Sequence, residues 1–281
     1  DTEENNGISK ITSTVWIKVT KSKTSQEIST LTEELGMSLN SFSGKNSMGL
    51  SINCLSEDVL TAVNILEDVV KNPVFPDSEI VQAKSLMVAD LKERDDNVGR
   101  YTGKVMRELL FQTHPYRLDE LGSPESLARI NREHITDFYA KYVQPSNLVL
   151  SIMGDFDSAQ VLDVLKKKFE SMPDHKVTFD NYSEDSITQP REKSITMKRE
   201  QAMVMLGFHA PNLFSQDRYG VEVLTNILGS SFSGRLFAKI REELGKAYTL
   251  GGNYVPGIDA GFVYFYVLTT NENIEKVVSL L

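Results

Sequence analysis

Apolar residues recur at helical spacing in some stretches and alternate or cluster in others, with Gly, Pro and capping residues between them. Asn6 to Val19 mixes helix and strand signals. Thr24-x-x-Glu27 is then a capping box, and Ile28, Leu31 and Leu35 carry one apolar face until Gly36 stops the helix. Met37 to Phe42 and Met48 to Leu55 read as two strands. Ser56-Glu57-Asp58 caps a helix faced by Val59, Leu60, Val63, Leu66 and Val70, which Asn72-Pro73 ends. Pro76 to Glu79 opens a long helix reaching about Arg94, and another helix runs from about Val98 to Phe111. Ser123-Pro124-Glu125 starts a short helix. Glu133 to Tyr142 is helical, Leu148 to Asp155 reads as a buried strand, and Ser158 to Phe169 is a helix. Met172 to Lys193 is polar and without period, as a linker is. Strands resume at Ser194 to Met197 and Met203 to His209, and Ser215-Gln216-Asp217 starts a helix through Tyr219, Val223 and Leu228.

The stretch Ser230 to Tyr248 stands apart. Leu236, Phe237, Ile240 and Leu244 share one helical face, Arg235, Lys239, Glu242 and Glu243 take the other sides, and Gly245 is the stop. Ala247 to Tyr254 reads as a strand leaving that helix. On pattern alone this is a solvated amphipathic helix. Arg241 near its end and Tyr248 beyond it could face one cleft, where a guanidinium fork and a phenol suit the carbonyl oxygens of an extended peptide.

The run Gly234-Arg235-Leu236-Phe237-x-x-Ile240-Arg241-Glu242-Glu243-x-Gly245-x-Ala247-Tyr248 resembles a signature of the insulinase/pitrilysin-type zinc metallopeptidases. There it sits in the half without zinc. The resemblance implies that Arg241 and Tyr248 bind substrate and help stabilise the transition state.

Composition narrows the classes. With 281 residues, 40% hydrophobic and 25% charged, the chain suggests about two soluble domains. A net charge of −9 argues against a nucleic-acid partner. The single cysteine, Cys54, lies in an apolar strand-like run and reads as a buried inert thiol. No apolar run is long enough for a transmembrane helix. The abrupt start at Asp1 and the end inside an apolar helical pattern read as a fragment of a longer polypeptide.

The first half resembles the same family at Asn6-Gly7-Ile8, Lys21 to Gly36, Asn72 to Phe75, His114-Pro115-Tyr116, Leu121-Gly122-Ser123 and Met153 to Phe156. Active members carry His-x-x-Glu-His just after the Asn-Gly, where two histidines hold zinc and the glutamate activates water. Here that stretch is Lys10-Ile11-Thr12-Ser13-Thr14, and the third ligand position falls near Ala89-Asp90. A lysine cation cannot ligate and a serine cannot act as a base at neutral pH, so this segment is expected to bind no metal. His114, His134, His175 and His209 are neither paired at i, i+4 nor near cysteine, and read as structural or solvated.

The halves echo each other. Gly49 to Ser56 with its capped helix resembles Gly261 to Thr269 followed by Asn273 to Val278, a repeat on the order of 200 residues. The expected fold is α+β: two homologous modules, each a mainly antiparallel or mixed sheet with helices on one face, both truncated. The expected division is 1–171, a linker at 172–193, and 194–281. In active relatives the edge strand matching Leu39 to Ser43 pairs with the peptide, which would make Asn40 and Phe42 substrate-binding; alternation alone equally describes a half-buried core strand.

The resemblance thus implies a substrate-binding half of a zinc metalloendopeptidase, inactive by itself. Its implied partners are a peptide and a zinc-bearing homologous half, on the same polypeptide or on another subunit, in a bacterial envelope or cytoplasm. The rival is a catalytically inactive scaffold or peptide-binding subunit of a larger assembly. A hydrolase built on Cys54 or a serine lacks any nucleophile–base spacing.

Overall fold

In a computed structural model the chain is described at every position except Asp185 and Lys246. Its elements are α1 (Ile8–Trp16), α2 (Ser25–Glu34), β1 (Ser38–Ser43), β2 (Met48–Asn53), α3 (Val59–Lys71), α4 (Asp77–Asp96) and α5 (Val98–Leu110). They continue with α6 (Pro124–Arg129), α7 (Arg132–Tyr142), α8 (Ser158–Phe169), β3 (Gln201–Ala210) and α9 (Arg218–Thr225). Two π-helical turns, Asn226–Ser230 and Phe237–Glu243, precede β4 (Thr249–Pro256), β5 (Gly261–Thr270) and α10 (Ile274–Val278).

The chain forms two compact units, 1–90 with 120–180, and 91–119 with 181–281. Residues 91–119 group with the later part of the sequence because α5 packs on β3. Side chains of Met106 and Leu110 reach Gly207 so closely that a Cβ there would meet Leu110 Cδ1 at 3.0 Å.

In the first unit the mixed signals of residues 6–19 resolve into α1. Its entry is Gly7 at φ 93°, a left-handed conformation that glycine adopts without steric cost. Gly122, at φ 76°, faces this entry: a Cβ on it would stand 2.5 Å from Asn6 O, so the two segments meet backbone to backbone. Trp16 is buried and its indole N–H donates to Val69 O at 3.0 Å, tying α1 to α3. The capping box at Thr24 and Glu27 is formed, and Gly36 ends that turn at φ 60°. β1 and β2 pair antiparallel, Asn40 opposite Ser51 and Phe42 opposite Gly49. Val63, Val161 and Leu165 join α3 to α8 in a core flanked by Ile152 and Phe156.

The second unit is built on an antiparallel sheet in the order β3-β5-β4. Met106, Leu110, Phe111, Tyr116 and Phe262 fill one face. Ile240, Val267 and Val277 fill the other, so the helices back this sheet on both sides. The class is α+β with small antiparallel sheets, as expected. Helices cover both faces of this sheet where one covered face was expected, because α5 packs on one side and the Phe237–Glu243 turn and α10 on the other.

Two expected strands do not form. Leu148 to Asp155 and Ser194 to Met197 adopt no regular secondary structure, with bends at Gly154 and Asp155, and no described strand lies alongside to complete a ladder. In the first of these Val149 is 96% and Met153 93% exposed, against the buried strand expected. Cys54 is likewise half-buried rather than buried, and lies just beyond the end of β2.

Candidate functional site

The helix expected between Gly234 and Gly245 is present, but its bonding over Phe237–Glu243 is i→i+5. Apolar spacing carries no signal for this, since the same residues still point inward: Ile240 is fully buried and Leu236 packs against its core. Gly245, at φ 58°, ends the helix as expected, its N–H donating to Arg241 O at 3.1 Å.

Arg241 is exposed, its guanidinium carbon 4.9 Å from the centroid of the Phe237 ring, one turn back. Phe237 in turn meets the exposed Phe232 edge-on at 5.2 Å. The ring therefore holds the guanidinium itself through a cation–π contact. Tyr248 is 76% exposed; its backbone N–H donates to Leu268 O at 3.1 Å, which fixes it at the root of β4. Among the described residues neither the Arg241 guanidinium nor the Tyr248 hydroxyl has a hydrogen-bond or ion-pair partner. Both are available to a ligand.

Asn40 and Phe42 belong to the first unit. Both point to the exposed side of β1, where the Phe42 ring covers Gly49 closely enough that a Cβ there would sit 2.7 Å from it. β1 pairs on one side with β2, and no other described strand joins that sheet.

The zinc-motif positions lie on α1. Ser13 Oγ and Thr14 Oγ1 each donate to Lys10 O at 2.9 Å, turning both hydroxyls into their own helix backbone. Lys10 offers an ammonium, with no lone pair at neutral pH. Asp90 is exposed on α4. This donor set does not fit a zinc ion. Among the described residues no three His, Cys, Asp or Glu side chains gather as metal ligands. Burial, and then Asp58, push the Cys54 thiol above its ordinary range, which disfavours a nucleophilic thiolate.

Three of the histidines have structural bonds. His134 Nδ1 accepts from Asn131 N–H in the α7 capping box, and His209 Nε2 pairs with Leu110 O at 2.8 Å while its ring stacks on Phe111. His114 is 1% exposed, and its Nδ1 accepts from Tyr116 N–H at 3.1 Å.

Around His114 the structure shows what sequence reading missed. Glu184, in the stretch read as a linker, accepts backbone N–H bonds from Gln112, Thr113 and His114 at 2.8, 2.9 and 2.8 Å. Burial would raise its pKa, but these donors outweigh it and bring the carboxyl down to about 2. A cavity of about 310 Å³ beside it is lined by Phe111, Tyr182, Glu184, His209, Asn212 and Asp259. His114-Pro115-Tyr116 was the one available signal; Glu184 had none, because its partners, three backbone N–H groups and the Thr113 hydroxyl, lie 70 or more residues away.

A family model described as "Peptidase M16 inactive domain" matches residues 129–281, and one described as "Insulinase (Peptidase family M16)" matches residues 1–124. A Rickettsia bellii protein named "Uncharacterized zinc protease" is 26% identical over 270 residues, 96% of this chain and 65% of that protein. A Helicobacter pylori protein named "Non-peptidase homolog YmxG" is 27% identical over 246 residues, 87% of this chain and 56% of that protein. The chain thus spans less than two thirds of these relatives' length. The crystal structure of a peptidase M16 inactive domain from Pseudomonas fluorescens superposes with a TM-score of 0.89 at 22% identity, covering 98% of this chain and 68% of that one.

Proposed function

We propose, from the premise that this chain belongs to peptidase family M16, the insulinase family, that it is the non-zinc, peptide-binding half of a metalloendopeptidase. The observation that carries this reading is the split between two sites. Arg241 and Tyr248 keep their donors exposed and unpartnered among the described residues, while Ser13 and Thr14 at the metal-motif positions are bonded into their own helix.

In this reading Arg241 and Tyr248 donate hydrogen bonds to the carbonyl of the scissile peptide and favour the charge that develops on it. Phe237 holds the guanidinium in place. Asn40 and Phe42 on β1 bind the peptide as an added strand, with backbone groups supplying the pairing. The hydrolytic metal belongs to a homologous half or subunit carrying His-x-x-Glu-His. The chain itself comprises a first module at 1–171, a linker at 172–193 and the start of a second module at 194–281. Support comes from a repeated order of elements: a helix, a left-handed glycine (Gly36 or Gly245), a hairpin, a 3₁₀ turn and a helix.

Replacing Arg241 with Ala in the complete protein, together with its zinc-bearing half, is expected to slow peptide cleavage by roughly 10²-fold. An unchanged rate removes Arg241 from the mechanism. A second reading, a peptide-binding subunit without catalysis, is favoured by the Helicobacter pylori relative's name as a non-peptidase homolog. Peptide binding that depends on Arg241, with no cleavage when the zinc-bearing half is present, would decide for it.

A further inference from the structure

His114 is a buried titratable group that the proposed peptide site does not use. Its surroundings lie wholly within the second unit. Nδ1 accepts the N–H of Tyr116 and so caps the 3₁₀ turn Pro115–Arg117 that follows α5. An imidazole that accepts at Nδ1 and is neutral carries its proton on Nε2. That atom is buried without a hydrogen-bond partner among the described residues, and faces Asp259 Oδ2 at 3.9 Å, beyond hydrogen-bond reach.

The turn it caps reaches further. Tyr116 is buried, and its hydroxyl accepts the N–H of Ile258 at 3.0 Å, in the turn that joins β4 to β5. At Gly257 in the same turn a Cβ would come within 2.4 Å of the Tyr116 ring. On the other side, Glu184 holds the N–H of His114 itself, and Tyr182 sits edge-on to the imidazole at 5.8 Å. One ring therefore joins the end of α5, the 181–184 segment and the tip of the β4–β5 hairpin, whose opposite end begins beside Tyr248.

We infer that His114 is an acid-sensitive latch: its neutral ring holds the β4–β5 turn closed through Tyr116, and protonation releases that turn. Protonation must occur at Nδ1, where the new N–H would point at the N–H of Tyr116 and abolish the bond that caps the turn. It also places a charge in a buried site. The groups facing the ring are Asp259 from the hairpin turn and Glu184 from the 181–184 segment, which favour the charged ring, and His209 from β3, which opposes it. The rings of Tyr116 and Tyr182 also face it. Burial is the largest influence and holds His114 below its ordinary range. Asp259 is partly exposed, and solvent weakens its pull. Because the closed state has the lower pKa, closure is fully stable above about pH 6.5 and is lost as the pH falls below it.

The test is native-state hydrogen exchange at the Tyr116 and Ile258 amides of the intact chain, corrected for intrinsic rates, at pH 7.5 and 5.0. A latch whose closed ring stays neutral predicts acceleration at pH 5.0 of up to about 30-fold. His114→Asn, whose side-chain oxygen can still accept from Tyr116 N–H but cannot titrate, should remove the acceleration. Asp259→Asn should leave it as large or larger, since the charged ring loses an attraction. Slower exchange in acid, abolished by Asp259→Asn, would mean that a His114–Asp259 ion pair tightens the turn instead, and would overturn the inference. Acceleration undiminished in His114→Asn would overturn it too. If that variant does not fold, the sign of the wild-type and Asp259→Asn responses still decides.

Discussion

Two apolar runs of similar make-up, Leu148 to Asp155 in one unit and Met203 to His209 in the other, meet different neighbours. The second lies along β5, with Met203 opposite Leu268 and Gly207 opposite Tyr264, and α5 covers its outer face. The first has the same β-forming residues and no ladder among the described residues; Ile152 packs it beside Val63, Val161 and Leu165. A strand is a property of a pair. Apolar content sets which segments can enter a sheet, and the neighbour supplies the backbone partners that decide whether one does.

That contrast can be broken from either side. The largest effect is expected at Val267, fully buried on β5, the strand that pairs with β3. Val267→Asp places an unpaired charge in that core and should cost more than about 4 kcal/mol, seen as loss of the second unit's amide protection or of its denaturant transition. Next comes the contrast itself in the unaltered chain. Amides of Val204 to Phe208 should exchange at least about 10³-fold more slowly than those of Val149 to Met153. Similar rates would mean that Leu148 to Asp155 has found a partner strand. The smallest effect belongs to Val149→Asp, at a side chain 96% exposed, which should shift stability by no more than about 0.5 kcal/mol in a urea titration. A loss like that at Val267 would place Val149 in a core.

The legible parts of this fold were those governed by local chemistry. Thr24 and Glu27 form their box, Ser123 caps α6, and Gly36 and Gly245 stop their helices at positive φ. These features depend on residues three or four positions apart, so a sequence displays them directly. The illegible parts were settled at long range. The strand status of Leu148 to Asp155 depends on a neighbour, and the grouping of 91–119 with 181–281 depends on α5 finding β3. For the candidate site, the roles of Arg241 and Tyr248 rest on resemblance, while the helix that carries Arg241 and its stop at Gly245 were legible. The orientation of the guanidinium over Phe237 was not, because i→i+5 bonding leaves the apolar spacing unchanged. Glu184 shows the limit most plainly: a polar residue in a polar run becomes an anchor only because three backbone N–H groups at the end of α5 converge on it.

The placement of Trp16 has a practical consequence. It is the only tryptophan in the chain, it is buried in the first unit, and its indole is bonded to Val69 O. Selective excitation at the red edge of protein absorption therefore illuminates that unit alone, while circular dichroism averages over both. An emission shift during denaturation that fails to coincide with the loss of ellipticity would separate the two melting events within one unlabelled sample.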